Sequence, residues 1–123
     1  MTPDDASRPT PPSTAEDDAT ALARVAVVLS SARESGDPVA LDSALDLNLY
    51  LWVGIRTLVR RPDNALPPEV KDNLLHLSAY VARKCVHERA TLDDADIGTL
   101  INANLQIAEG LLEGQLGAAS APV

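Results

Sequence analysis

The chain contains no Phe, one Trp and two Tyr, so aromatic side chains make up only 2% of it. Sheets favour aromatic and β-branched residues, and this shortage turns the reading away from a β architecture. Cysteine occurs once, at Cys85, which excludes an internal disulfide. Cys85 falls in an apolar helical pattern and reads as a small buried hydrophobe, not as a reactive thiol. No uninterrupted apolar run approaches the ~18 residues that a membrane span needs. A basic-then-apolar leader is also missing, because the first residues are acidic and Pro-rich. The expected compartment is therefore the cytoplasm. Positive charge is scarce as well: 10 Lys and Arg stand against 18 Asp and Glu, for a net charge of −8. That balance repels phosphate backbones and anionic lipid, so neither nucleic acid nor a membrane surface is an expected partner. Arg56, Arg60 and Arg61 form the one tight basic cluster, and they close a predicted helix, where cations suit the carbonyl end of the dipole.

Catalytic and metal chemistry is missing in the same way. His76 and His87 are eleven residues apart, about 16 Å along a helix at 1.5 Å per residue, too far to share one metal ion. No Gly-rich phosphate loop and no nucleophile elbow occurs. Asp93, Asp94 and Asp96 resemble a carboxylate cluster, but a place at a helix start already accounts for them. The sequence predicts no enzyme, no cofactor, no catalytic residue and no metal site.

What is present is a Leu- and Ala-rich chain of 123 residues, 46% apolar with eighteen Leu, long enough for one domain. Such a core favours helices packed on helices. Residues 1–14 hold four Pro among Asp, Ser and Thr and read as a disordered acidic tail. Residues 15–114 read as an all-α bundle of about four helices, and residues 115–123 as a loose C-terminal tail. The first helix is expected over about 16–34, with Leu22, Val25, Leu29 and Ala32 as its stripe and Gly36 and Pro38 ending it. The second is expected over about 39–60. Its Leu41, Leu45, Asn48, Trp52, Ile55 and Val59 are spaced 4, 3, 4, 3 and 4, a heptad-type seam. Leu47, Leu49, Tyr50, Leu51, Val53 and Leu58 make this helix apolar almost all round, as in a helix that is central or that awaits a partner. The third opens at Pro67-Pro68 and is expected to reach about residue 89. The fourth is expected from Thr91, with Asp94 completing an acidic capping box, and to fray near Gly114 and Gly117. Its seam is Ile97, Ile101, Asn104, Ala108 and Leu111. The basic end of the third helix and the acidic fourth helix suggest neighbours.

Asn48 and Asn104 interrupt apolar seams. The segment Ala44-Leu45-Asp46-Leu47-Asn48-Leu49-Tyr50-Leu51-Trp52 resembles the Ala-Leu…Asn-x-x-Leu-Trp stretch of the FlaF family of flagellar regulators. Asn64-Ala65-Leu66-Pro67, then Asn73-Leu74-Leu75-His76-Leu77, continue the resemblance. Leu100-Ile101-Asn102-Ala103-Asn104 and Ile107-Ala108-Glu109-Gly110-Leu111 complete it, over roughly residues 40–112. Leu49 and Leu105 stand where that family usually has Arg after the Asn, so a contact made through those arginines is lost or altered here. The family's Pro-Arg-Glu-type start is replaced by the acidic tail.

The resemblance implies a cytoplasmic positive regulator of flagellin production, acting opposite the repressor FlbT. Its leading mechanism is an export chaperone that binds the terminal amphipathic helices of flagellin. The alternative is a post-transcriptional regulator that works through FlbT or the flagellin messenger without binding flagellin. The expected binding face is an apolar groove between the second and fourth helices, formed by Asn48, Leu51, Trp52 and Ile55 with Ile101, Asn104, Ala108 and Leu111. For Asn48 and Asn104, fixing helix register and touching flagellin backbone are both open. Trp52 is expected to be mostly buried.

Overall fold

The computed structural model describes the backbone of residues 15–120 and the side chains of residues 17–113. The acidic tail expected over residues 1–14 lies outside the described residues. Four α-helices and no strand occur among those described: α1 (Ala15–Ser35), α2 (Pro38–Val59), α3 (Pro68–Ala82) and α4 (Asp94–Ser120).

The α1–α2 corner is built by three consecutive residues. Gly36 takes φ +69°, a left-handed conformation that stops α1 at no cost to a residue without Cβ. Asp37 then caps α2, its Oδ1 accepting from the Val39 amide at 3.0 Å, and Pro38 supplies the first helical turn. Two helices joined so tightly must run antiparallel. Asn64 organises the next connection by donating from Nδ2 to the Leu58 carbonyl at 3.0 Å and accepting from the Leu66 amide at 3.0 Å. The Asn of the Asn-Ala-Leu-Pro motif therefore adds a side-chain donor to a helix-end carbonyl that also accepts from the Arg61 amide at 3.2 Å.

Three boundaries differ from the sequence expectation. The third helix does not stay α-helical to residue 89: it widens into a π-helical turn at Arg83–His87, followed by a 3-10 turn at Arg89–Thr91. Arg89 holds this corner. Its Nε donates to the Cys85 carbonyl at 2.7 Å, while its two terminal nitrogens reach Asp42 (3.1 Å) and Asp46 (2.7 Å) on α2. The two acids outweigh the cost of partial burial and hold the guanidinium firmly charged. The capping box of α4 also sits two residues later than expected. Asp93 Oδ1 accepts from the Asp96 amide at 2.8 Å and Asp96 Oδ2 accepts from the Asp93 amide at 3.2 Å. Thr91 instead donates to the Glu88 carbonyl, closing the 3-10 turn. At its far end α4 passes Gly114 and Gly117 and runs to Ser120, beyond the expected end near residue 114.

The suggested pairing of the third and fourth helices is corrected too. The most extensive helix contact joins α1 to α4, and α2 packs on α1 and on α3. Lys84 bridges Glu88 and Asp96 at 3.0 and 3.5 Å, so the charge match expected of these segments is used at the corner and not along the helices. Small residues explain the α1–α4 choice. Ala19, Ala26 and Leu22 of α1 are buried with Ile97, Leu100 and Ile101 of α4, and alanines let two helix axes come close. Arg33 at the end of α1 donates to the Asp94 carbonyl at the start of α4, consistent with an antiparallel pair.

Candidate functional site

The heptad seam of α2 faces inward. Asn48 is 0% exposed, Trp52 1% and Ile55 7%, and across from them Asn104 is 0% exposed, with Ile101 and Ala108 also buried. Six of the eight residues expected to meet a partner are thus buried in the bundle, and a partner reaches Asn48, Trp52 and Asn104 only if helices part. Leu51 and Leu111 are half-exposed. The two rows are bridged by their own hydrogen bonds, and the cleft between them that Ile55 and Leu111 line is small, about 30 Å³.

Those bonds form a chain with a fixed direction. The Trp52 indole can only donate, and its Nε1 meets Asn104 Oδ1 at 2.8 Å. That contact fixes the orientation of the Asn104 amide, whose Nδ2 then donates to Asn48 Oδ1 at 2.8 Å and to the Leu22 carbonyl at 3.4 Å. Asn48 has no choice left: its oxygen is used, and its Nδ2 makes no hydrogen bond. Burial pushes the nearby Cys85 thiol up, against the Arg89 charge and the Asn48 amide, which favour its ionised form. Cys85 is 1% exposed, as a structural cysteine should be.

The apolar surface left open lies elsewhere, between α1 and α2. There an elongated groove of about 450 Å³ runs along both helices. On α2 its wall is Leu47, Tyr50, Leu51, Gly54 and Leu58, a second helical stripe beside the buried seam. On α1 it is Ala21, Arg24, Val25 and Val28, with Asp17 and Asp18 at one end. Exposure on its rim is high for such residues: Tyr50 is 80% exposed and Leu47 44%. Val53, at 52%, is also exposed on α2 but does not line the groove. Of the expected contact residues, Leu51 and Ile55 line this groove. A second apolar hollow, of about 510 Å³, lies on the other flank of α1, where Val27 and Val28 meet Ala108 and Leu112 of α4. Leu111 lines a small cleft near Asn64 and Leu66.

Asp18 has a perturbed carboxyl. Burial raises its pKa first, and the neighbouring Asp17 charge raises it further. An acid held in this way is one that a cation would stabilise. The groove is missing from the sequence reading because its two walls belong to different helices. The signal for it was there, in apolar residues of α2 that fall outside the seam.

Among the described residues no group of three or more His, Cys, Asp or Glu side chains is placed to hold a metal ion. His76 is exposed, its Nδ1 2.8 Å from the Asp72 carbonyl. In the basic cluster Arg61 is paired with Asp63 at 3.0 Å, and the three arginines are exposed. None of the described helices is long and apolar enough to cross a membrane.

Set against known protein families, residues 5–111 match flagellar protein FlaF. The chain belongs to the FlaF family. The match begins before α1, so the residues of both walls of the α1–α2 groove and of the Trp52–Asn104–Asn48 chain lie within the matched range. Membership gives the protein a flagellar regulatory role. Comparison with curated proteins and with solved structures returned no match.

Proposed function

We propose that this FlaF-family protein is a positive regulator of flagellin production that acts in the bacterial cytoplasm as a flagellin-binding export chaperone, without catalytic activity of its own. The observation that carries this reading is the α1–α2 groove, an exposed apolar trough along two helices with a nearly bare Tyr50 on its rim. Contiguous exposed apolar surface marks interaction sites, and aromatic side chains are over-represented among residues that dominate binding. A trough of this shape suits an amphipathic helix laid along it. Flagellin, whose ends the FlaF resemblance describes as long amphipathic helices unstructured before assembly, offers such helices. Ordering them on binding offsets part of the contact energy, so the affinity should fall between about micromolar and tens of nanomolar.

Titration calorimetry of the full chain with full-length flagellin, and with flagellin lacking either end, tests this. Heat and a negative heat-capacity change are expected with the full-length partner, and both should shrink when the recognised end is removed. No binding at tens of micromolar would reject the chaperone mechanism and leave regulation through FlbT or the flagellin messenger.

A further inference from the structure

The α1–α2 groove carries more information than its apolarity. We propose that it receives a single amphipathic helix of a partner protein, oriented by a cationic residue at the end that lies over Asp17 and Asp18, with Gly54 as the point where the two backbones come closest. This deepens the reading of the groove as the partner-binding face and rests on it.

Gly54 is the first support. It sits in the middle of α2, where glycine weakens a helix relative to alanine. A Cβ built there would meet nothing within 4 Å, so the protein's own packing does not require glycine. The empty space above it opens into the groove, which Gly54 lines. A missing side chain with nothing of its own fold above it leaves room for a backbone brought from outside.

Charge is the second support. The groove spans residues 17 to 28 of α1, about 16 Å or three helical turns. Among the described lining residues two acids, Asp17 and Asp18, stand together at one end, and one base, Arg24, lies midway. At the opposite end, by Val28 and Leu47, no described lining residue is charged. Such a gradient orients a ligand helix, whose positive end is attracted to the acids. It also argues against two other occupants. The chain's own first 14 residues carry Asp4, Asp5 and four prolines, giving them like charge and poor helix-forming ability. A second copy would bring another net charge of −8 to the same surface.

The test uses the full chain and two fluorescein-labelled designed peptides of about five helical turns. Both carry the same Leu/Val stripe at helical spacing, one with two Lys at one end and the other with two Glu in their place. The Lys peptide should bind in the tens of micromolar and the Glu peptide at least roughly tenfold more weakly. Gly54→Gln should weaken Lys-peptide and flagellin binding by about tenfold or more without lowering the melting temperature, and Asp18→Asn should narrow the gap between the two peptides. Val86→Gln, at an exposed apolar residue away from the groove, should change neither. Equal binding of the two peptides, or unchanged binding by Gly54→Gln, would overturn the proposal. So would a dimer of the isolated chain that Gly54→Gln dissociates in sedimentation, because the occupant would then be a second copy. The flagellin arm separates the two levels: flagellin binding that ignores Gly54→Gln rejects this groove and leaves the chaperone reading standing. Lys-peptide binding without flagellin binding supports the groove and rejects flagellin as its ligand.

Discussion

The two apolar stripes of α2 differ by little in sequence and by nearly everything in environment. One runs through Leu45, Asn48, Trp52, Ile55 and Val59 and is buried against the other helices. The other runs through Leu47, Tyr50, Leu51, Gly54 and Leu58 and lines an open groove. The inner stripe carries the large aromatic whose polar atom is satisfied within the fold, Trp52 with its indole bonded to Asn104. The outer stripe carries an aromatic, Tyr50, left in solvent. Hydrophobic periodicity reports that a surface wants cover. It does not report whether the cover comes from the same chain.

Substitutions on each stripe should separate folding from binding. The largest effect belongs to Trp52→Ala, which empties the centre of the bundle and leaves Asn104 Oδ1 without its donor; chemical denaturation should show a loss of about 3–5 kcal/mol. A smaller loss by Trp52→Ala than by truncation of Tyr50 would erase the distinction between the stripes.

Asn104→Leu comes next. It removes both the acceptor for Trp52 and the donor to Asn48, so two buried groups are stranded, at roughly 1–3 kcal/mol for each. Asn48→Leu strands only the Asn104 amide, which keeps a longer bond to the Leu22 carbonyl, and it removes an amide nitrogen that makes no hydrogen bond. Denaturation midpoints of the two variants should therefore be unequal, with Asn104→Leu the less stable, and the opposite order would contradict the direction assigned to the chain.

Gly54→Ala should act in the other sense, raising stability by about 0.5–1 kcal/mol, because alanine is the better helix former and nothing obstructs its methyl group. A lower melting temperature would mean that Gly54 serves the fold and not a ligand.

The smallest effect is expected at Asp18. Burial and Asp17 raise its folded-state pKa, so the folded protein binds this proton more readily than the unfolded chain. Stability then falls as pH rises from the ordinary carboxylate range through the raised folded value, and that penalty stays at neutral pH. Asp18→Asn should be slightly more stable than the parent at pH 7. The difference should vanish in acid below the unfolded carboxylate range, where both states of the parent are protonated. A stabilisation that persisted unchanged into strong acid would assign the effect to something other than this titration.

Much of this is legible in the sequence. The 4-3 spacing from Leu41 to Val59 gave the buried face of α2, and Gly36 with Pro38 gave its corner with α1. The π-turn at Arg83–His87 was not legible, because a widened turn leaves the apolar spacing almost intact and is fixed by a contact from Arg89 to the Cys85 carbonyl. Charge pointed α4 toward the third helix, yet the alanines of α1 decided its partner by letting the axes approach. That choice brought Asn104 over Asn48 and Trp52 and sealed the face expected to bind. Of the groove, the α2 wall is legible in Leu47, Tyr50, Leu51 and Leu58 outside the seam, whereas the α1 wall, Ala21 to Val28, joins it only when α1 and α2 lie side by side.

Methyl chemical-shift mapping of the labelled chain on addition of flagellin tests the central claim most directly, since both stripes are rich in Leu, Val and Ile. The account predicts large shifts at Val28, Leu47, Leu51 and Leu58, with Leu22, Ile97 and Leu100 unchanged in the interior. Shifts confined to the interior methyls, with those four groove residues silent, would contradict it, because flagellin would then be parting the helices to reach the seam and leaving the outer stripe of α2 untouched.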